Sequence, residues 1–129
     1  MALKPSYNDK LHLPGLSKTE ILILALEASQ KLEWNIEEVT PEGARFEVPF
    51  NMYSHGEEIT FTIEPGNDGE VAVRSQSSSV QFVDYGKNRK NIQKLRETME
   101  EIKTSLTPEE LTQKAKDFEE ECNRPLTEE

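Results

Sequence analysis

The sequence predicts an α+β domain, and three observations carry that expectation. Apolar residues recur at helical spacing over residues 17–32 and again over 92–122, while period-two alternation dominates 34–82. The connections between the alternating stretches are short, which favours an antiparallel meander over crossover units. The architecture expected is an N-terminal helix, a four-stranded antiparallel meander, and one or two C-terminal helices packed on one face of the sheet. The 129 residues fit one core, which buries about two thirds of the unfolded surface at this length.

Residues 1–16 read as an irregular segment, with Pro5, Pro14 and Gly15 as breakers. Ser17-Lys18-Thr19-Glu20 is a capping box, and the helix it opens runs to about Leu32. Its apolar positions span a wide face, which predicts burial against a sheet. Trp34 and Ile36 alternate with polar neighbours in the first strand. Ala44, Phe46, Val48 and Phe50 share one face of the second, and Ile59, Phe61 and Ile63 one face of the third. After the turn Pro65-Gly66-Asn67-Asp68-Gly69, a fourth strand starts at Val71 and Val73 and continues through Ser75-Gln76-Ser77-Ser78-Ser79 toward Val80 and Phe82. Beyond Gly86 the period changes. Ile92, Leu95, Met99, Ile102 and Leu106 form a narrow helical stripe, and Thr107-Pro108 starts another helix with the stripe Leu111, Ala115, Phe118, Cys122. The expected organisation is therefore 1–16 irregular, 17–106 the α+β domain, and 107–129 an acidic C-terminal helix with a frayed tail. The two narrow stripes leave three arrangements open: a helical hairpin, docking of the last helix on the domain, or pairing with a partner.

A net charge of −10 argues against general nucleic-acid binding and against wholesale adsorption to an anionic membrane. The longest apolar run, residues 21–26, falls far short of the ~18 residues of a spanning helix, so the chain reads as soluble. Cys122 is alone, which excludes an internal disulfide and suits a reducing, cytoplasmic compartment. No Cys/His pattern has zinc spacing, so no metal and no cofactor are expected.

One segment stands out chemically. Asp84-Tyr85-Gly86-Lys87-Asn88-Arg89-Lys90-Asn91 lies where the serine-rich strand gives way to the helix. Five of the chain's 15 cations fall between Lys87 and Arg96, with no acid among them. Gly86 and Lys87 can open an anion nest with Arg89, Lys90 and Lys94 around it, suited to a phosphate, a lipid headgroup or an acidic segment of a partner. The plainer reading makes Gly86 a turn residue, Asp84 a cap, and the cations a solvated helix face. The serine run with His12 or His55 and Asp84 has the residue types of a hydrolase triad, but no Gly-x-Ser-x-Gly elbow accompanies them. Serines on the solvent face of a half-buried strand account for the run more simply. Trp34, in phase with Ile36, reads as a core anchor rather than an exposed hot spot.

These residues carry a resemblance. Leu26 through Leu32-Glu33-Trp34-Asn35-Ile36, the strand from Glu57 to Ile63, Val73-Arg74-Ser75-Gln76-Ser77 and the turn block from Asp84 to Ile92 are similar to a region of some rhomboid-family intramembrane serine proteases of Bacteroidetes-type bacteria. That region is the soluble N-terminal part before the membrane domain, where the helix–Trp–strand opening and an Asp-aromatic-Gly-Lys-Asn-x-x-Asn turn recur. The resemblance covers roughly residues 17–95, with the turn block its specific part. It implies no catalytic residue here, because rhomboid chemistry needs a serine and a histidine on spanning helices.

The expectation from sequence is a non-catalytic, cytoplasmic accessory, regulatory or interaction domain of the kind attached to a rhomboid-like membrane protease. It would lie at the cytosolic face of the membrane if the chain is part of a larger protein. Gly86, Lys87, Arg89, Lys90 and Lys94 are the contact residues, facing a membrane domain or anionic headgroups and not nucleic acid. The alternatives are a stand-alone small-ligand-binding or enzymatic domain, and a domain that self-associates through its C-terminal helices. A monomer is favoured over the self-associating form.

Overall fold

The computed structural model of the protein describes residues 6–49, 56–64, 69–77 and 86–122. The chain order is β1 (Ser6–His12), α1 (Lys18–Lys31), β2 (Asn35–Thr40), β3 (Gly43–Val48), β4 (Glu57–Ile63), β5 (Glu70–Ser77), α2 (Lys87–Ser105) and α3 (Pro108–Cys122). Phe50, His55, Asp84 and the tail after Cys122 lie outside the described residues.

The five strands form one antiparallel sheet in the order β1-β5-β4-β3-β2. This corrects the expected architecture of a leading helix and four strands. A strand precedes the first helix, and the meander β2–β5 gains β1 on the free edge of β5. Residues 6–12, expected to be irregular, supply that strand. Its inward positions are Tyr7, Asp9 and Leu11, set opposite Ser75, Val73 and Val71. A carboxylate in the middle of the inward row breaks the hydrophobic alternation by which a strand is recognised. Arg96 of α2 makes that carboxylate tolerable, donating from Nη2 to Asp9 Oδ2 at 2.8 Å.

The helices lie together on one face. Ser17 and Glu20 close a capping box at the start of α1, each side chain bonding the other's backbone N–H at 3.1 and 2.9 Å. Thr107 and Glu110 repeat the device at α3. α1 carries the chain from the β1 edge to the β2 edge and is flanked by α2 on one side and α3 on the other. Its central place explains its wide apolar face, with Ile21 to Ala25 and Ala28 all buried. α2 lies over β1 and β5, and Leu95 and Met99 are sealed between it, α1 and the sheet. α3 docks on α1 through Leu111 and Ala115, with Phe118 half-buried against the core. Trp34 is buried, its ring 6.4 Å from that of Phe46. Gly43 is dictated by crowding, since a Cβ there would collide with the carbonyl oxygen of Phe61 on β4.

Among the described residues, the opposite face of the sheet carries no helix. Across it, Asn8, Arg74, Thr60, Arg45 and Glu38 make a row running through all five strands. Arg45 lies 3.3 Å from Glu38 and 3.4 Å from Glu58. Ser75 and Ser77 do not belong to this face. They alternate in phase with Val71 and Val73 and are buried under the helices, so the expectation that the serines decorate the solvent face is overturned.

The Asp9 carboxyl is held below the ordinary carboxylate range, first by the Arg96 hydrogen bond and then by the backbone N–H of Lys10, with Arg89 adding a weaker attraction. A depressed folded-state pKa adds stability that is fully present above the unfolded value and lost as pH falls through the folded one. Because both partners are more than a third exposed, the gain is small. The stability gap between the protein and its Asp9→Asn variant should be constant near neutrality and shrink below about pH 4. Urea denaturation across that range checks it, and a gap that is unchanged in acid refutes the assignment.

Candidate functional site

Gly86 adopts the left-handed conformation, φ 76° and ψ 11°, as the N-cap of α2. A side chain would be strained in that conformation, although there is open space for one. Gly86 has no side chain of its own with which to cap the helix, and the first turn of α2 has no acid. Two features therefore meet at this end of the molecule: a basic outer surface and a polar inner one.

The inner one is a cluster of five buried polar side chains. Asn88 and Asn91, one turn apart, face the sheet at the start of the stripe that continues as Ile92, Leu95, Met99 and Ile102. Beneath them lie Glu57 at the start of β4 and Ser75 and Ser77 at the end of β5, each at most 2% exposed. Ser75 Oγ donates to Asn88 Oδ1 at 2.7 Å, and Asn88 Nδ2 donates to Ser77 Oγ at 3.2 Å. Asn91 Nδ2 uses both of its hydrogens, one to Glu57 Oε1 at 3.0 Å and one to Ser75 Oγ at 3.2 Å. Each contact joins α2 to a strand 11 to 34 residues away. The cluster thus sets the height and rotation of the helix over the sheet.

Among the described residues, the hydrogen bonds of the cluster join the helix to the sheet. Ser75 Oγ donates to an amide oxygen, and among the described residues the hydroxyls of both serines hydrogen-bond only the two asparagines. His12, the described histidine of the suggested triad, sits on the helix-free face opposite Glu70, across the sheet from Ser75 and Ser77. Among the described residues no three His, Cys, Asp or Glu side chains converge to hold a metal.

The outer surface carries the cations singled out from sequence. Arg89, Lys90 and Lys94 are exposed and Lys87 is half-buried. At 100° per residue Lys87, Lys90 and Lys94 share one flank of α2, while Arg89 falls on the other beside Arg96. Among the described residues the side chains of these four make no hydrogen bond or ion pair, Arg89 only attracting Asp9 weakly. Arg96, fifth of the block, is committed to Asp9. The second half of the helix carries Glu97, Glu100 and Glu101 instead. Charge along α2 therefore runs against the macrodipole, which favours acids at the N-terminal end.

The buried cluster escaped the sequence reading, although a signal existed. Glu57 is in phase with Ile59, Phe61 and Ile63, Ser75 and Ser77 with Val71 and Val73, and Asn88 and Asn91 with Ile92 and Leu95. Polar residues on three apolar stripes point to a shared buried network.

The class defined by fold and site is a five-stranded antiparallel α+β domain whose last strand and following helix are locked by a buried amide–hydroxyl–carboxylate cluster. The chain belongs to the family described as Protein of unknown function (DUF1499), whose model matches residues 6–99. The match takes in β1, the whole sheet and most of α2; α3 lies beyond it. This replaces the resemblance to the N-terminal region of rhomboid proteases, since nothing in the matched family points to rhomboid association. No curated protein matches the chain. No helix among the described residues is long and apolar enough to cross a membrane.

Replacing Asn91 with Ala leaves the Glu57 carboxylate and the Ser75 hydroxyl each short of one donor in a buried site. The expected loss is roughly 1–3 kcal/mol in chemical denaturation, and the Ser77→Ala loss about 0.5–1.5 kcal/mol. Arg89→Ala, on the exposed side of the same turns, should stay within about 0.5 kcal/mol of the parent. Equal stabilities for Asn91→Ala and Arg89→Ala would show that the cluster does not hold the helix.

Proposed function

We propose that the domain is a non-catalytic, cytoplasmic interaction module that presents the basic first turns of α2 to an acidic segment of another protein. The observation that carries this reading is the charge of Lys87, Arg89, Lys90 and Lys94 at the positive end of a helix, where their side chains make no ion pair among the described residues. Each misplaced cation there costs about 0.3–1 kcal/mol, and like charges one turn apart on a helix face add to it. With 25 acids in the chain and no ion pair to these cations among the described residues, the turn bears a local cost that binding would recover.

A compact acidic segment fits better than a broad anionic surface. The stripe covers about 10 Å of helix, and the chain as a whole carries −10, so a large negative surface would meet repulsion around a small attractive patch. The buried cluster supports the reading from beneath, because it fixes the helix and so lowers the entropy lost when the cations engage. Self-association through the stripes of α2 and α3 is less well supported: Leu95, Met99, Leu111 and Ala115 are used inside the chain.

Fluorescence anisotropy with a labelled hexaglutamate peptide at low salt tests the proposal. The combined Lys87→Ala, Arg89→Ala and Lys90→Ala variant should bind at least about tenfold more weakly, and raising salt to about 0.5 M should weaken the parent similarly. Parent-like binding by the triple variant overturns the reading. So does adsorption to phosphatidylserine vesicles without any binding of hexaglutamate, which would mark the partner as a membrane.

A further inference from the structure

The helix-free face of the sheet holds a second group of uncommitted polar side chains, remote from α2. Two adjacent cross-strand rows, Asn8–Arg74–Thr60 and Lys10–Ala72–Thr62, lie over β1, β5 and β4. Together they line an open concavity of about 350 Å³. Ala72 and the two threonines are short, which makes the depression; Arg74 and Lys10 are the long side chains at its margin. Residues directly opposite on an antiparallel pair are about 5 Å apart at Cβ and diagonal ones about 7–8 Å, so all six fall within reach of one small molecule.

The pairing on this face is selective. Arg45, in the same row as Arg74, is taken up by Glu38 and Glu58. Lys10 approaches Glu64 only at 4.0 Å and remains largely exposed. Arg74 has neutral neighbours on both sides, Asn8 and Thr60, and its nearest diagonal acid is the Glu58 that Arg45 already holds. Among the described residues the side chain of Arg74 makes no hydrogen bond or ion pair, and those of Asn8, Thr60 and Thr62 make none either. Asp9, between Asn8 and Lys10, points to the other face and is spent on Arg96.

We propose that this concavity is a binding site for a small phosphate monoester, its phosphate held by Arg74 and Lys10 and the rest of the molecule lying over Ala72 and the threonines. The donor set selects phosphate over carboxylate. A guanidinium fork satisfies both oxygens of a carboxylate by itself, whereas a dianionic phosphate has three terminal oxygens and uses the ammonium and hydroxyl donors as well. The volume suits a small molecule rather than a macromolecular partner.

NMR titration of the full chain with phenyl phosphate, and in parallel with benzoate, tests the site. Saturable shifts are expected at the amides of Lys10, Thr60, Thr62 and Arg74, with benzoate at least about fivefold weaker. Arg74→Ala, an exposed substitution whose folding is checked by an unchanged melting temperature, should weaken phenyl phosphate about tenfold or more, and Lys10→Ala less. The Lys87, Arg89 and Lys90 triple variant should bind phenyl phosphate as the parent does, which separates this site from the α2 surface. Three results overturn the proposal: parent-like affinity in a folded Arg74→Ala, shifts that move to α2 and vanish in the triple variant, or shifts that fail to saturate.

Discussion

Asn91 donates one amide hydrogen to the Glu57 carboxylate and the other to the Ser75 hydroxyl, and the seating of α2 on the sheet depends on those two bonds. They fix the helix relative to two neighbouring strands at once, which no single apolar contact does, because van der Waals packing tolerates sliding and directional bonds do not. With the first turn fixed, Ile92, Leu95 and Met99 fall onto the core and Arg96 arrives above Asp9. β1 is therefore held from two sides, by backbone pairing to β5 and by a charge on α2. The cluster is also a constraint on sequence, because the buried Glu57 side chain takes a donor from α2 through Asn91.

The two faces of the sheet divide the labour. The helix side is filled with side chains whose bonds and packing are satisfied internally, and polarity within it is directed at stability. The helix-free side and the outer surface of α2 each carry donors without a partner among the described residues. Both sets are cationic although the protein is strongly acidic overall, so each is a local exception to the prevailing field. Other cations do find partners, as Lys31 does with Glu101 and Lys114 with Glu27.

How far the sequence discloses this molecule depends on which interaction shapes each element. α1 and α3 are local matters of capping and spacing, and Ser17–Glu20 and Thr107–Glu110 announce them directly. β3, β4 and the start of β5 alternate cleanly because their inward residues are apolar. β1 was invisible because its inward row includes Asp9, and the group that makes Asp9 acceptable stands 87 positions further along. The inward serines of β5 were misassigned to solvent for the same reason, since their partners are asparagines on another element. The basic turn was noticed for its cations, while its structural content lay in the two asparagines between and after them. Polar residues are hard to place from one sequence because their burial is decided by partners that periodicity does not reveal.

The position of β1 has a consequence for how the domain assembles. β2 to β5 pair with neighbours in sequence, and each hairpin closes a short loop. β1 must find β5 across about sixty residues, so its pairing carries the largest closure entropy in the sheet. Until it arrives, β5 is an open edge whose inward face carries Val71 and Val73, the kind of template that recruits other chains. The docking of β1 both completes the core and retires that edge. Asp9, the residue that hides the strand from a sequence reader, also makes β1 a poor aggregation segment while it waits.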